Sequence, residues 1–449
     1  MVKMGESRKI AIVIAGATGD LARRKLVPAL ARLFSQGKLG SEPLVIGTGR
    51  SYLSDDEFSG RFAADDAFRN RMHYHQHIEK IRGYIETFGD FDRVIFFLSL
   101  PPQVYPETAQ VIAAEGFGER ASIIIEKPFG SDVASAHRLN SKIAEFFSER
   151  QIFRIDHYLA KEAVQNILVF RFANSLFYPV WNSRYVESIQ ISALETEDLG
   201  NRSAYFDRAG ILRDMVQNHL LQLLCLLTME APLTLDPEDI RAQKIQILRA
   251  LRIDECHRFQ YEGYRDEKGV AADSVTETYA EVRMSINNFR WTGMPIYLRT
   301  GKKMHRKGTE IGIRFKRLPK LLFNEDGKLL PNQIIFKIQP AEGIIVDIQS
   351  KLPGTDISLA PSKLNFCFTS GASREAYERL LYDVVRDDHT LFVSAQESEE
   401  AWKVMAPVLD KGTVATYPAK TLPAACSACE WIDFDNYVND CVPETVPQS

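Results

Sequence analysis

The sequence has little net charge and no long apolar run. Its 449 residues carry a formal net charge of −4, which gives no reason to expect nucleic acid and leaves any anionic ligand to local basic clusters. No apolar run approaches the roughly 20 residues of a membrane span. The run at 10–17 lacks the small-residue cleavage pattern of a secretory signal. We therefore predict a cytoplasmic protein that binds neither nucleic acid nor a membrane.

Cysteine is scarce, and its spacing does not favour a metal or redox site. The six cysteines include one Cys-X-X-Cys pair, Cys426 and Cys429. No second pair stands at zinc-ribbon spacing, and no histidine lies nearby. The pair is also far from the strand–helix region in which a thioredoxin-type motif belongs. We interpret these residues as ordinary thiols and predict no metal site.

The chain is longer than one hydrophobic core can serve, so we expect two domains. In the first, short apolar runs alternate with helical patterns, which is typical of an α/β fold with a doubly wound parallel sheet. After residue 150, strands of alternating polarity predict an α+β domain with a large antiparallel sheet. The predicted strands are 9–15, 43–47, 93–99 and 121–126, followed by 188–194, 277–283 and 333–339. We place the domains at 1–155 and 156–449, with a loose tail from Val438.

The first predicted strand is followed at once by a turn of small residues. Gly16, Gly19 and Ala22 recur at three-residue spacing. This is a variant of the dinucleotide fingerprint, in which small residues let the backbone approach a pyrophosphate at a helix N-terminus. The second strand runs out into Arg50 without a carboxylate, which favours a 2′-phosphate and hence NADP. A purely structural turn and a solvent-facing Arg50 are the competing interpretations.

Two further loops fall at predicted strand ends, where ligands bind in open α/β sheets. Tyr105 closes the loop after the third strand. Lys127 stands between the fourth strand and Pro128, a candidate for a cis peptide bond. A lysine held there can reach a substrate hydroxyl or the cofactor. Glu-Lys-Pro also occurs in other dinucleotide-linked sugar oxidoreductases, so it indicates a broad class of enzyme.

Polar residues cluster just before an apolar helical pattern at about 162–170. Asp156, His157, Tyr158 and Lys161 lie within six positions. If Asp156 caps a helix, His157 and Lys161 share a face and form an anion pocket with Tyr158. The competing interpretation is a solvated first turn.

A second polar cluster opens a helix predicted over 210–229. From Leu220 on, this helix is apolar nearly all round and therefore buried. Its polar residues must be hydrogen-bonded or face a ligand. Asp214 and His219 are five apart, which on an ideal α-helix places them on adjacent faces, from which both can still border one cleft. A hydrogen-bonded core histidine is the competing interpretation of His219.

In their order and spacing, these motifs resemble the glucose-6-phosphate dehydrogenase family from end to end. The resemblance implies oxidation of D-glucose 6-phosphate at C1 to 6-phospho-D-glucono-1,5-lactone with hydride transfer to NADP, the first step of the oxidative pentose phosphate pathway. Another NAD(P)-dependent sugar dehydrogenase and a catalytically silent dinucleotide-binding relative are the alternatives. The matching segments are Gly-Ala-Thr-Gly-Asp-Leu-Ala (16–22), Pro-Pro-Gln-Val-Tyr (101–105), Glu-Lys-Pro-Phe-Gly (126–130), Arg-Ile-Asp-His-Tyr-Leu-Ala-Lys-Glu (154–162), Gly-Ile-Leu-Arg-Asp-Met-Val-Gln-Asn-His-Leu-Leu-Gln (210–222), Pro-Ile-Tyr-Leu-Arg-Thr-Gly-Lys (295–302) and Tyr-Glu-Arg-Leu-Leu (377–381).

The resemblance also implies a role for each candidate residue. It makes His219 the general base and Asp156 the carboxylate that orients it. The implied substrate contacts are His157, Tyr158 and Lys161 for the phosphate, Glu195 and Asp214 for glucose hydroxyls, and Lys127, Lys302 and Lys307 as further contacts. Arg306 competes with Lys307 for its role. The implied NADP contacts are Gly16, Ala17, Thr18, Gly19, Asp20, Leu21, Arg50, Tyr105 and Lys127, with NAD as a further candidate cofactor.

The resemblance also concerns oligomeric state, and the sequence departs from the family pattern at two places. The resemblance implies a homodimer or homotetramer formed through the antiparallel sheet. Ala160 replaces a usual glycine beside the phosphate pocket, which we expect it to narrow. Leu-Gly-Asn-Arg-Ser at 199–203 replaces a glycine-rich run, so we expect a stiffer loop. We find no basis for the additional structural cofactor site of some members.

Overall fold

The computed structural model describes residues 8–324, 329–368, 376–409, 413–423 and 429–442. The chain forms two compact units, each built on its own β-sheet. The first comprises Met1–Ala160, Pro232–Ala242 and Arg374–Glu399, and the second comprises Lys161–Ala231, Gln243–Ser373 and Glu400–Ser449. Both units are therefore assembled from separated stretches of the chain. In this described part, every helix is too short or too polar to cross a membrane.

Strands and helices alternate along the first part of the chain, and strands predominate between residues 251 and 367. The strands are β1 (Lys9–Ala15), β2 (Ser41–Gly49), β3 (Met72–Gln76), β4 (Arg93–Leu98), β5 (Ala121–Glu126), β6 (Ile152–Ile155), β7 (Val186–Leu194), β8 (Leu251–Tyr261), β9 (Tyr279–Ile286), β10 (Ile296–Gly301), β11 (Gly308–Phe315), β12 (Gln333–Gln339), β13 (Gly343–Lys351), β14 (Leu359–Cys367), β15 (Phe392–Val393) and β16 (Ala415–Tyr417). The α-helices are α1 (Val27–Ser35), α2 (Asp55–Ser59), α3 (Asp66–Arg69), α4 (Ile81–Glu86), α5 (Tyr105–Ala114), α6 (Val133–Ala144), α7 (Glu162–Phe172), α8 (Ser203–Ile211), α9 (Leu221–Thr228), α10 (Pro237–Ala250), α11 (Ala376–Val385) and α12 (Ala395–Met405). Two segments are π-helical, Ala22–Leu26 and Leu212–Leu220. Single 3₁₀ turns are Pro102–Val104, Gly118–Arg120, Glu149–Gln151, Tyr178–Val180, Gly200–Arg202, Tyr264–Asp266, Leu322–Asn324 and Phe434–Tyr437.

The first unit has a seven-stranded sheet in the order β15-β6-β5-β4-β1-β2-β3. Its strands are parallel except β15, which pairs antiparallel with β6 at one edge. Alternate residues of β1 enter two hydrophobic cores, Ile12 on one side of the sheet and Val13 on the other. This burial on both faces explains its continuous apolar sequence and confirms the predicted α/β fold. The prediction missed β3, β6 and β15, because β3 is half polar and the other two have four and two residues.

The second unit has a nine-stranded sheet in the order β14-β13-β12-β11-β7-β10-β9-β8-β16. Its neighbours pair antiparallel except β7 with β10 and β8 with β16, which are parallel. Helix α7 lies next to the buried helix α9, and Arg171 of α7 donates to the carbonyls of Leu226 and Met229 at 2.5 and 2.6 Å. This buried guanidinium satisfies carbonyls at the end of α9, which would otherwise lack donors. The mainly antiparallel sheet with helices confirms the α+β prediction.

One row of paired residues crosses seven strands of this sheet, and the charged residues in the row are buried. The row is Glu281, Arg299, Ser192, Glu310, Lys337, Gly343 and Cys367, each directly opposite the next. The C-terminal segment covers it. The ring of Trp431 lies 4.1 Å from the Arg299 guanidinium, and the Lys337 ammonium donates to the carbonyls of Tyr437 and Val438 at 2.7 and 3.0 Å. Alternating charges and these partners compensate the desolvation of the row.

A disulfide joins the end of this row to the C-terminal segment. Cys367 is bonded to Cys441, and Gly343 makes room for it, since a Cβ there would lie 2.5 Å from the Cys441 sulfur. The interpretation as ordinary thiols is therefore wrong for this pair, because a separation of 74 residues leaves no local signal. The predicted loose tail is also wrong from Val438 as far as Cys441. Cys426 of the Cys-X-X-Cys pair and residues 443–449 lie outside the described residues.

Cys441→Ser should lower the melting temperature by several degrees. A cross-link over such a long loop restricts the unfolded chain and typically stabilises a protein by about 2–4 kcal/mol. Thermal unfolding followed by circular dichroism, with and without a phosphine reductant, measures the effect. Reductant should bring the parent protein down to the Tm of the variant and leave the variant unchanged. An unaltered Tm in parent protein with both thiols titratable would contradict a stabilising role.

Candidate active site

The first part of the site is the turn after β1 in the first unit. The main-chain N–H groups of Gly16 and Ala17 donate to the carbonyl of Thr48 at 2.9 and 3.1 Å, which ties the turn to β2. Gly16 has a φ of +84°, and a Cβ there would lie 2.3 Å from the Ser99 carbonyl oxygen. Only glycine fits this position. The turn leads into a helix start whose N–H groups suit an anion.

A cavity of about 530 Å³ opens beside the turn. It is lined by Ala17, Thr18, Asp20, Arg23, Arg61 and Phe62. Asp20 accepts from Arg24 at 2.7 Å and from Arg23 at 3.3 Å, so its carboxylate is compensated. Arg50 is exposed directly after β2, and a Cβ on its neighbour Gly49 would lie 3.9 Å from the Thr18 hydroxyl. Main-chain donors and nearby guanidinium groups fit the phosphates of a dinucleotide.

Lys127 lies directly after β5, in a loop held by buried groups. The Lys127–Pro128 peptide bond is cis, as the sequence suggested. Tyr105 is fully buried, and its hydroxyl lies 3.2 and 3.3 Å from the main-chain oxygen and nitrogen of Glu126. Tyr105 therefore supports the loop that carries Lys127.

Glu126 is a group that the sequence reasoning passed over. Its side chain is mostly enclosed, and the Tyr377 hydroxyl donates to Oε1 at 2.9 Å. Burial raises its pKa to about 7, the Asp156 carboxylate adds to this, and the hydrogen bond from Tyr377 and the charge of Lys127 oppose it. An acidic residue closing an otherwise apolar strand was the available signal. The loop thus places a carboxyl that titrates near neutrality beside Lys127.

The cluster after β6 forms a turn and not the start of a helix. Asp156 Oδ1 accepts from the main-chain N–H of Tyr158 at 3.0 Å, and α7 begins only at Glu162. The prediction that Asp156 caps a helix with His157 and Lys161 on one face is therefore wrong. An aspartate that bonds the main chain two residues on forms an Asx turn, which competes with capping. Both Asp156 and Tyr158 are buried.

Lys161 is the residue before α7 in the second unit. Burial lowers the pKa of its ammonium, and the Glu342 carboxylate opposes this shift. Glu342 also accepts from the main-chain N–H of Ala163 at 2.8 Å, in the first turn of α7. An ammonium at the N-terminal end of a helix is an environment that favours an anion such as a phosphate.

Three predicted substrate contacts come together at one edge of the second sheet. Glu195 and Lys302 directly follow β7 and β10, which are parallel neighbours and end at the same edge. The Lys302 ammonium lies 2.5 Å from Glu195 Oε2 and 4.0 Å from Asp214 Oδ2. Lys302 and Asp214 are 5% and 7% exposed. A buried ammonium between two carboxylates offers several partners for sugar hydroxyls.

Lys307 and Arg306 bind other acidic residues. The Lys307 ammonium lies 2.8 Å from Glu197. Arg306 lies 2.7 Å from Glu310 and 2.5 Å from Asp435, which engages its guanidinium in the buried charges of the sheet. Arg306 therefore has a structural task, and Lys307 is the better candidate for a substrate contact.

Asp214 and His219 lie on a helix with wider turns than predicted. At Gly210, with φ +71°, the chain leaves helical geometry, and Leu212–Leu220 is π-helical. Because π-helical bonds run from residue i to i+5, residues five apart follow one another along one side. Asp214 and His219 therefore share a side, and the prediction of adjacent faces is wrong. Within the helix predicted over 210–229, regular α-helical geometry is found only from the start of α9.

Models of one protein family match nearly the whole chain. Residues 13–166 match the model described as "Glucose-6-phosphate dehydrogenase, NAD binding domain", and residues 168–431 match "Glucose-6-phosphate dehydrogenase, C-terminal domain". The chain belongs to the glucose-6-phosphate dehydrogenase family. The matched ranges include every candidate site residue from Gly16 to Lys307.

Glucose-6-phosphate dehydrogenases of distant organisms are similar to the chain over most of its length. A Bacillus subtilis protein named Glucose-6-phosphate 1-dehydrogenase is 38% identical over 445 residues, which are 89% of this chain and 91% of the relative. Glucose-6-phosphate 1-dehydrogenase 6, cytoplasmic, from Arabidopsis thaliana is 37% identical, with 92% and 89% covered. A solved glucose-6-phosphate dehydrogenase in complex with its substrate glucose-6-phosphate is 33% identical, with a TM-score of 0.88 and coverage of 94% of this chain and 97% of that one.

Glu126→Gln should remove a pH dependence of stability. The folded pKa of about 7 lies above the ordinary value of 4.5. The neutral carboxyl therefore stabilises the fold fully below about pH 4.5, and this contribution, at most roughly 3 kcal/mol, is lost as the pH rises to about 7. Urea unfolding at about pH 5 and pH 8 should show a smaller decrease in unfolding free energy for the glutamine variant than for the parent. Equal decreases would mean that Glu126 titrates normally.

Proposed function

We propose that the protein oxidises D-glucose 6-phosphate at C1 to 6-phospho-D-glucono-1,5-lactone and transfers the hydride to NADP. Membership of the family supports the reaction, since its relatives carry it in their names. The observation that carries the proposal for this chain is the group formed by the buried Lys302 and Asp214 and the partly buried Glu195. Hydrogen-bonding groups for a sugar are grouped there, and Asp214 shares a helix side with the candidate base His219.

The reaction needs a base for the O1 proton when hydride leaves C1. We assign this task to His219, because an imidazole can both take up and release a proton near neutral pH. We assign Asp156 the role of orienting the ring and stabilising the imidazolium that forms. Both side chains are almost completely buried, which strengthens charge interactions with them.

The phosphate of the substrate is remote from C1, and we propose that it anchors the sugar. His157, Tyr158 and Lys161 are the assigned phosphate contacts. The position of Lys161 before the N-terminus of α7 supports its assignment. Binding energy from this distant group positions C1 for reaction. We assign Lys307 and Lys127 to further sugar contacts.

When bound, a nicotinamide dinucleotide supplies the hydride acceptor. We propose that the turn from Gly16 to Leu21 binds its pyrophosphate through the main-chain N–H groups of Thr18, Asp20 and Leu21, because those of Gly16, Ala17 and Gly19 donate to carbonyls of the protein. We also propose that Lys127 contacts both cofactor and sugar. We assign Tyr105 to the cofactor site because its hydroxyl supports the loop that carries Lys127. The exposed Arg50 at the end of β2, where no carboxylate stands, favours a 2′-phosphate and therefore NADP, with NAD as a second cofactor.

We further propose a division of roles along the chain. Residues 1–155 bind the cofactor, and residues 156–449 bind the substrate and mediate assembly into a homodimer or homotetramer. Exposed apolar side chains on β14, Leu364 and Phe366, support assembly through the antiparallel sheet.

We place the protein in the cytoplasm, where the pentose phosphate pathway would use its product. The name of the Arabidopsis relative supports this location. The disulfide between Cys367 and Cys441 argues the other way, because such bonds are rare in reducing compartments. The comparison of the parent protein with Cys441→Ser in the presence of reductant measures how readily this disulfide is reduced.

The purified protein should reduce NADP with glucose 6-phosphate and use free glucose far less well, as NADPH absorbance will show. His219→Asn should lower kcat by roughly a hundredfold or more, because the general base is lost while the sugar contacts remain. KM for glucose 6-phosphate should stay nearly constant. Preference for another sugar would indicate a different sugar dehydrogenase, and no turnover with any sugar would indicate a silent dinucleotide-binding relative. Full kcat in the variant would remove His219 from the base role.

Arg50→Ala should raise KM for NADP by about tenfold or more, the scale of a lost charge-assisted contact, and leave KM for NAD within about twofold. Steady-state rates with both cofactors at saturating glucose 6-phosphate provide the measurement. Arg71→Ala is the matched control, since it removes the same charge from the opposite end of the parallel strands, just before β3. Equal losses for NADP and NAD would refute the assignment of Arg50 to the 2′-phosphate.

A further inference from the structure

Glu277 lies where the Leu212–Leu220 segment begins. The main-chain N–H of Leu212 donates to Glu277 Oε1 at 3.2 Å, and that of Ile211 donates to the main-chain oxygen of Glu277 at 3.0 Å. The first N–H groups of a helix have no acceptor within the helix. Glu277 supplies two such acceptors from a distant part of the chain.

The close approach of Glu277 depends on the glycine before the segment. A Cβ at Gly210 would lie 2.3 Å from Glu277 Oε1 and 2.9 Å from its carboxyl carbon. The φ of +71° at Gly210 also belongs to the region that side chains disfavour. Glycine at position 210 therefore allows the chain to change direction and also leaves room for the carboxylate of Glu277.

The carboxylate of Glu277 is held tightly. The residue is 5% exposed, and Oε2 lies 3.9 Å from the Arg258 guanidinium. Burial raises its pKa, while main-chain hydrogen bonds, including that from Leu212, and the charges of Arg258 and Arg213 lower it. A buried acceptor of this kind cannot move without leaving N–H groups unpaired.

The residue after Glu277 holds another part of the site. The carbonyl of Thr278 accepts from the main-chain N–H of Lys302 at 3.0 Å. Two consecutive residues therefore fix both the helix that carries Asp214 and His219 and the strand end that carries Lys302. This places the two halves of the sugar-binding group on one common support within the second unit.

We propose that Glu277 is a positioning residue that fixes the first turn of the Leu212–Leu220 segment and thereby the direction in which Asp214 and His219 face the substrate. The inference rests on the role of His219 proposed above. Glu277 acts through the reach of its carboxylate oxygen to Leu212. Its charge serves mainly the pair with Arg258.

Two variants separate reach from charge. Glu277→Asp keeps the charge but withdraws the oxygen by one methylene, and should lower kcat about tenfold or more, since small misplacements of catalytic groups are costly. Glu277→Gln keeps an oxygen within reach of Leu212 and should retain kcat within about twofold, although the pair with Arg258 is lost. KM for NADP should not change in either variant, because the cofactor turn belongs to the other unit.

Glu281→Asp is the matched control, a carboxylate of β9 that is 3% exposed and stands opposite Arg299. It should lower Tm without lowering kcat, both measured on protein with the parent circular dichroism spectrum. If Glu277→Asp keeps its kcat, or if Glu277→Gln loses as much as Glu277→Asp, Glu277 does not act by reach and the inference fails. Loss of kcat in His219→Asn alongside a fully active Glu277→Asp would leave the proposed function intact. Full activity in His219→Asn would remove His219 from the base role on which the inference rests, whereas no turnover of the parent protein with any sugar would overturn the proposed function itself.

Discussion

Polar groups that are removed from water must find partners, and the Leu212–Leu220 segment depends on this constraint throughout. The N–H group of its first residue, Leu212, and that of the preceding Ile211 are paired with Glu277. Near its end, the side chain of Asn218 donates to the carbonyl of Arg213 at 3.0 Å and accepts from the main-chain N–H of His219 at 2.7 Å. Hydrogen bonds of this kind within a buried network hold the polar groups in one arrangement. A π-helical path at this place puts Asp214 and His219 on one side, which an α-helical path would not.

The glycine turn of the first unit meets the same constraint differently. One part of its main chain is paired with the Thr48 carbonyl at the end of β2, and Gly16 fits closely against the Ser99 carbonyl. The strand before it is enclosed on both faces by apolar side chains. The turn is therefore held by β2 and by the loop at Ser99, and the cavity beside it is lined in part by charged groups. A strand end that is held in place in this way and leads into a helix is suited to binding phosphates without rearrangement.

The sheet of the second unit buries a row of charges, and the C-terminal segment compensates them. Trp431 lies over Arg299, and carbonyls near Tyr437 accept from Lys337. The disulfide joins Cys441, near the end of the same segment, to Cys367 of β14. Buried ionic groups contribute little net stability unless every partner is present. The second unit therefore depends on a segment that follows its last strand, although nothing in the local sequence pattern of that segment indicates a structural role.

Local patterns in the sequence determined the strands β1, β2, β4 and β5 and the glycine turn, because apolar runs and small-residue spacing act over a few neighbouring positions. The resemblance of the sequence motifs to a family supplied the roles of the candidate residues. Tertiary structure alone decided the rest. The pairing of β15 with β6, the disulfide and the contact of Glu277 with Leu212 join residues far apart in the chain. The helix predicted to start at Asp156 was displaced by a bond to Tyr158, and the predicted α-helix around His219 widened after Gly210. For the Leu212 N–H group, folding brought a distant partner that satisfied a buried polar group, and no local period in the sequence records which partner that will be.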